Sequence, residues 1–382
     1  MKKKILIVGG GHSEIPLVNA ARELGLYVIT TGNSPSGLAH KYSDKFYNCD
    51  YSNKEDIYQL AKKIGIDFIC FGAHDLSYFS TVYSASKLGL DYFDDMKTAQ
   101  ILHHKDKFKK FCLENNILSP KAKSFTDKNE ALDYVTHKIK LPCMVKPIDM
   151  GGGKGISKIN STDDIENAIK NAFNYSKSKA IVVEDFFEGS LHSFSTFIVD
   201  KKVKFHFEDM EISCKNNPYG VCTSISPSEN VENVINALII ETEKVVNLLN
   251  LKDGLLHMQY LRNNKDIAIV EFTRRIPGDM YNIPVEISTG FQYAKNIIRY
   301  AMGQIVNIEN KKQEKFVSRH CIVGEGNIIF DTVIKNNIVN EVIWNNSQDI
   351  PKQGIVFLKY NSREEMLEKT NNINNLIKVN PV

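Results

Sequence analysis

Short apolar runs punctuate the first quarter of the chain, and each is followed by a stretch whose apolar positions recur three and four residues apart. Lys4–Val8 (KILIV), residues 27–31 (YVITT) and Phe68–Phe71 (FICF) have the composition of buried strands, and residues 13–24, Lys54–Ile64 and 77–88 have the periodicity of helices. This alternation predicts a doubly wound parallel unit over residues 1–95. Residues 96–118 form a charged helical connector. A second α/β unit is expected over 119–188, with strands Ala122–Phe125, one ending at Lys146 and one at 181–184. Its helices fall at 128–136 and at 163–174, the latter capped by Ser161.

From residue 189 to 315 the apolar and polar positions alternate over longer runs, which predicts antiparallel pairing. Strands 193–199 and 202–208 turn over Asp200-Lys201, a helix covers 231–249, and Gly254–Arg262 and 266–272 turn over Asn263-Asn264. Residues 316–382 give short strands at 319–323, 328–330, 341–344 and 354–360 and a helix at 362–370. The expectation is a small β-rich C-terminal subdomain. The fold class is therefore α/β and α+β, with a parallel N-terminal unit followed by a mostly antiparallel body.

Composition narrows the function classes. Forty-eight basic residues against 45 acidic give a net charge of +3, too small to favour a nucleic acid or a membrane surface as partner. Seven dispersed cysteines with no CxxC spacing fit reduced thiols and a cytoplasmic setting. The N-terminal MKKKILIVGGGHSE starts like a signal peptide, but its apolar run stops at Gly9 and no small-residue cleavage site follows, so it reads as a strand. No apolar run reaches the roughly 18 residues that a membrane span needs.

Candidate chemistry concentrates in LPCMVKPIDMGGGKGISK, residues 141–158. A strand ending in Lys146 runs into a loop of Gly151, Gly152, Gly153, Lys154 and Gly155, whose backbone N–H groups can turn toward an anion while the lysines add charge. The spacing is not that of a Walker loop. A solvated hairpin with incidental lysines is the plainer alternative. The first turn, Gly9-Gly10-Gly11-His12-Ser13-Glu14, begins like a dinucleotide fingerprint, but Glu14 occupies the position of its last glycine. Thr30-Thr31-Gly32-Asn33 also brings no acidic residue for a ribose. Ligands of a parallel sheet gather at the carboxyl ends of its strands, so Gly10 and His12 share a crevice with His74 and Asp75. For these last two, substrate contact and capping of the following helix remain open alternatives.

Four features recur at wide spacing: Lys105 on the connector helix, Lys146 with its glycine loop, IVVEDFFEG at 181–189, and IAIVEFTRRIPGD at 267–279. In this order they resemble the ATP-grasp superfamily over about residues 3 to 310. The resemblance implies ATP between the glycine-loop unit and the larger C-terminal body. Lys105, eleven residues before an Asn116-Ile117 pair similar to the family's Gly-Ile-Pro turn, matches the first phosphate-binding lysine, with Lys107 as local rival. Lys146 matches the second. Glu184, Asp185 and Phe186 match the adenine-binding hinge; Leu191 stands where a ribose-binding glutamate is usual, with Glu188 or His192 as substitutes. Gln259, Glu271 and Thr273 match the Mg²⁺ (or Mn²⁺) ligands and Arg275 the arginine that steadies the transferred phosphate. Asp279 or Glu286 would supply the carboxylate that this set lacks.

The resemblance implies a stand-alone ligase that activates a small carboxylate as an acylphosphate and joins it to an amine, releasing ADP and phosphate. Arg274 or Arg275 would meet the carboxylate, beside His12, His74 and Asp75. Pro218-Tyr219-Gly220 and residues 274–282, including Tyr281, would set specificity. A homodimer is a common arrangement among such enzymes. Two rivals differ in class: a degenerate ATP-grasp protein that binds nucleotide for regulation, favoured by Leu191 and Thr273, and a nicotinamide-dependent oxidoreductase, favoured only by the Gly9–Gly11 turn.

Overall fold

The computed structural model describes residues 2–215, 217–229, 232–304, 308, 315–344 and 352–380. Lys4–Val8 pairs in parallel with Tyr27–Gly32 and with Phe68–Phe71. A fourth parallel strand, Lys45–Asn48, joins at the edge and is absent from the sequence expectation. None of its residues is fully buried, so it carries no apolar run to announce it. The helices end where glycine can adopt the left-handed conformation: Gly65 at φ 61° closes Lys54–Ile64, and Gly89 at φ 74° closes Asp75–Leu88. The connector is two helices, Met96–His103 and Lys105–Glu114, broken at His104.

The second unit is a four-stranded antiparallel sheet in the order Ala122–Phe125, Ile181–Asp185, Cys143–Pro147, Ser157–Ile159. Helices Lys128–His137 and Ile165–Tyr175 cover it through Ala131, Val135, Ile165 and Ile169. Ser161 and Asp164 form a reciprocal capping box ahead of the second helix, as the spacing predicts.

The body is an eight-stranded sheet. Its central strands are Ser190–Val199, flanked by Gly254–Arg262 and Ile267–Thr273 on one side and by Lys202–Cys214 and Asn217–Ser226 on the other. Phe316–Val323, Lys352–Tyr360 and Ile338–Ile343 extend the same sheet rather than building a separate one; only Asn327–Phe330 and Ile377–Asn380 pair apart from it. One face packs Phe194, Ile198, Met258 and Tyr260 against the helices Glu232–Leu248 and Lys105–Glu114. The expected start of the first of these helices at Val231 lies outside the described residues. The opposite face packs Phe197, Phe205 and Phe207 toward Asn282–Thr289, Tyr293–Ala301 and the N-terminal unit. Among the described residues no helix is long and apolar enough to cross a membrane, and all seven cysteines are free thiols.

Candidate active site

Lys105 and Lys109 lie four apart on one helix and so share a face. Lys146 approaches them from the neighbouring sheet. Lys146 Nζ donates to Glu184 Oε2 at 2.7 Å, and Lys109 Nζ lies 3.7 Å from the same oxygen. Both lysines and the glutamate are buried. Burial alone would raise the Glu184 pKa, but Lys109 and Lys146 outweigh it and hold the carboxyl below its usual range. Burial in turn lowers Lys109 despite the glutamate. Glu184 Oε1 has no hydrogen-bond partner among the described residues. Lys105 Nζ donates to Met150 O at 2.8 Å, at the entrance to the glycine loop, whereas Lys107 is exposed and bonds Gln100. The geometry therefore favours Lys105 over its rival. Lys109 is not among the expected site residues, although its i, i+4 spacing from Lys105 is a usable signal.

The loop links two paired strands and reaches across to the large sheet. Gly152, Gly153 and Gly155 have φ of 66°, 77° and 72°, a conformation that side chains rarely adopt. Asn217 Nδ2 donates to Gly152 O at 3.2 Å, and a Cβ on Gly153 would meet the Tyr219 backbone at 2.7 Å. Tyr219 thus touches the loop, while Lys154 is exposed to solvent.

A β-bulge sets the facing surface. Ile269 packs with Phe272 on the helix-covered face, yet Gln259 pairs with Glu271 and Tyr260 with Ile269, so Val270 is the extra residue. The bulge turns Glu271 and Thr273 onto the face that carries Gln259 and His257. Gln259 Nε2 donates to Glu211 Oε2, leaving Oε1 as the oxygen open to a cation. Thr273 Oγ1 accepts the Arg275 N–H at 3.3 Å and is buried. Glu211 is the carboxylate that meets Gln259; Asp279 and Glu286 are not. Asp279 is held by Lys352 at 2.5 Å and His12 at 3.2 Å, and Glu286 accepts the Ala294 N–H at 3.0 Å. Burial raises the pKa values of Asp209 and Glu211, two residues apart on one strand, helped by the charge of Glu208 at Asp209 and by that of Asp209 at Glu211. Their signal is the EDMEI stretch, a run of acids that carries the strand past its expected end at 208.

The two arginines divide. Arg275 Nε donates to Asp75 Oδ1 at 2.6 Å, which brings the carboxyl end of the third parallel strand to the edge of the large sheet. Arg274 turns the other way and is fully buried. Its Nε meets Asp94 at 2.8 Å, and its amino groups bond the carbonyls of Leu255, Lys252 and Asp253. It is a structural anchor, which corrects its expected place beside a carboxylate. His74, not Asp75, caps helix Asp75–Leu88, accepting the Leu76 N–H at 3.1 Å. His12 stacks on Trp344 with ring centroids 4.6 Å apart. Gly10 lies against the His40 ring, which a Cβ there would meet at 1.7 Å. Glu14 bonds the Ala73 N–H at 2.7 Å, filling with a carboxylate the place of the missing glycine.

At the hinge, Asp185 and Glu188 are exposed, and Lys158 Nζ lies 3.9 Å from the centre of the Phe186 ring. His192 is buried on the helix-covered face, held by Glu208 at 2.9 Å and Ser190 at 2.8 Å. Its ring is committed away from Gln259, so it does not stand in for the absent glutamate. Tyr281 is likewise buried, its hydroxyl 2.7 Å from that of Ser193.

Residues 115–250 match the family model described as D-ala D-ala ligase C-terminus. A formate-dependent phosphoribosylglycinamide formyltransferase of Prochlorococcus marinus subsp. pastoris is 23% identical over 275 residues, covering 72% of this chain and 70% of that protein. Among solved structures, L-amino acid ligase from Bacillus licheniformis is similar along the whole of both chains (100% of each), with a TM-score of 0.81 at 16% identity. Phosphoribosylglycinamide synthetase from Anaerococcus prevotii gives a TM-score of 0.76 at 21% identity, again covering 100% of each. With this architecture shared from end to end and the matched segment spanning the glycine loop and hinge, the chain has the ATP-grasp fold.

Proposed function

We propose that this protein is an ATP-dependent ligase that joins a small carboxylate to an amine with release of ADP and phosphate. The observation that carries the proposal is the convergence of Lys105, Lys109 and Lys146 under a glycine loop, opposite a sheet face presenting Glu271 and Gln259. Buried lysines around one glutamate, whose Oε1 has no partner among the described residues, suit a polyphosphate and its nucleoside. Oxygen donors on Glu271 and Gln259 suit a hard divalent cation such as Mg²⁺, which when bound neutralises phosphate charge.

In this reading, Lys105 and Lys146 hold the phosphates and the 151–155 loop excludes water from the activated carboxylate. Residues 184–186 receive the adenine. Arg275, oriented by Asp75, steadies the phosphate in transfer, and Lys109 tempers the charge of Glu184. Charge neutralisation and in-line placement do the work, and no protein nucleophile is required.

The test is Mg²⁺-dependent ADP and phosphate release across a matrix of amino acids, other small carboxylates and amines, with Glu271→Ala as control. Turnover that requires one carboxylate and one amine and is lost in the control supports the ligase. ATP binding with no turnover for any pair would favour a regulatory nucleotide-binding protein.

A further inference from the structure

We propose that one of the two substrates is an amino acid taken up as its zwitterion, with its ammonium held by Asp209 and Glu211 and its carboxylate by Arg319. This rests on the ligase reading above. Strand register places the three side chains together. Asp209 pairs with Ser193, which pairs with Gln259; Glu211 pairs with Ser224, which pairs with Arg319. Directly paired residues of an antiparallel sheet point to one face, so acids and arginine share the face of Gln259 and Glu271.

All three are buried, at 1%, 8% and 3% exposure, and their hydrogen bonding is incomplete. Asp209 Oδ1 is engaged by the Ser193 hydroxyl, but Oδ2 has no partner among the described residues. Glu211 accepts from the Gln259 amide. Arg319 donates through Nη1 to Gly278 O at 3.1 Å and lies over the Tyr281 ring, while its buried Nε has no partner among the described residues. His257, two residues from Gln259 on the same face, has a similarly unpartnered Nδ1. Folded proteins leave few buried polar groups unsatisfied, and here an orphaned acid oxygen and an orphaned guanidinium donor occur on one sheet face.

A ligand that is cationic at one end and anionic at the other satisfies both. A second divalent cation fits less well, because the Arg319 charge is felt by both acids and opposes a dication between them. A site that hydrogen-bonds an ammonium also rejects analogues that lack it, since its own acids are then left unpaired.

The experiment is calorimetric titration of the protein, held with Mg²⁺ and a non-hydrolysable ATP analogue, against a panel of L- and D-amino acids. Each amino acid that binds is compared with its deaminated acid and its decarboxylated amine. We expect at least one amino acid to bind and both analogues to bind about a hundredfold more weakly. Asp209→Asn and Arg319→Met should each weaken that amino acid tenfold or more, and Glu211→Gln, which keeps shape and hydrogen-bonding capacity, provides a milder variant. Circular dichroism and nucleotide binding report whether each variant is folded. If the analogues bind as well as the amino acid, or if the folded variants change only the Mg²⁺ requirement, the zwitterion site is wrong. Turnover with simple carboxylates and amines but no amino-acid binding would overturn this inference and leave the ligase standing. Failure of the nucleotide analogue to bind would overturn both.

Discussion

Arg275 and Asp75, two hundred positions apart, are joined by a 2.6 Å Nε to Oδ1 contact that ties the edge of the large sheet to the N-terminal parallel sheet. His103 stands behind the pair. Its Nε2 accepts the Arg274 N–H at 3.2 Å, so its Nδ1 carries the proton that it gives to the same Asp75 oxygen at 2.9 Å. The Asp75 carboxylate that orients the guanidinium is thereby held from two sides. Because Asp75 is two-fifths exposed, the pair adds little to stability. Asp75→Asn should therefore unfold at nearly the wild-type urea concentration while losing turnover, by up to about 10²-fold if the arginine is displaced by an ångström. Turnover equal to wild type in a correctly folded Asp75→Asn protein would separate Arg275 from the reaction.

The glycine loop offers a paired test within three residues. Gly153 has φ 77° and no room beside the Tyr219 backbone, whereas a Cβ added to Gly151 would have nothing within 4 Å, and the φ of Gly151 is not positive. Gly153→Ala should cost about 1–2 kcal/mol at the loop and raise the KM for ATP, because the loop must leave Tyr219 to relieve the strain. Gly151→Ala should stay within about 0.5 kcal/mol of wild type. Urea unfolding and ATP titration of the two variants check this, and equal behaviour would refute the account of the closed loop.

Arg274 is a stability residue in spite of its neighbour. Its side chain is about 1% exposed and meets Asp94, three carbonyls and the Tyr300 hydroxyl. Removing it strands Asp94, so Arg274→Ala should lose about 3–5 kcal/mol. Arg274→Lys should also destabilise, since one ammonium cannot replace a planar fork that bonds in several directions at once. Chemical denaturation gives the loss directly. Activity per folded molecule, taken at low temperature, should remain close to wild type.

Much of this site is legible in the sequence because it depends on local order: a strand before Lys146, glycines where φ turns positive, and Gln259 and Glu271 on adjacent strands of a hairpin. What escapes depends on pairings between distant segments. Lys109 looks like one more lysine on a solvated helix, and only docking against Ile181–Asp185 buries it beside Glu184. Arg274 and Arg275 are adjacent in sequence and diverge in the bend just past Ile267–Thr273, one toward Asp94 and the other toward Asp75. Asp209 and Glu211 lie beyond the expected end of their strand, since acids in an otherwise apolar run read as its termination. The bulge at Val270 cannot be inferred from alternation, yet it decides which face Glu271 occupies.

Two buried histidines make stability depend on pH in a direction that can be worked out. His320 is 3% exposed, shares a 2.7 Å hydrogen bond with Thr223, and is lowered by burial from its usual 6.5 to about 4. Between those values the unfolded chain binds the proton that the folded chain refuses. Stability therefore rises with pH across this window and falls as pH drops from 6.5 toward 4, at up to about 1.4 kcal/mol per pH unit for this group. His257, lowered to about 3 by burial and then by Arg275 and Arg319, adds in the same direction. His320→Gln keeps a polar group beside Thr223 but removes the titration. Followed through the chain's one tryptophan, Trp344, urea unfolding at several pH values from 7 to 4.5 should show the variant losing stability less steeply than wild type. Parallel slopes would mean that His320 can take up its proton without opening the fold.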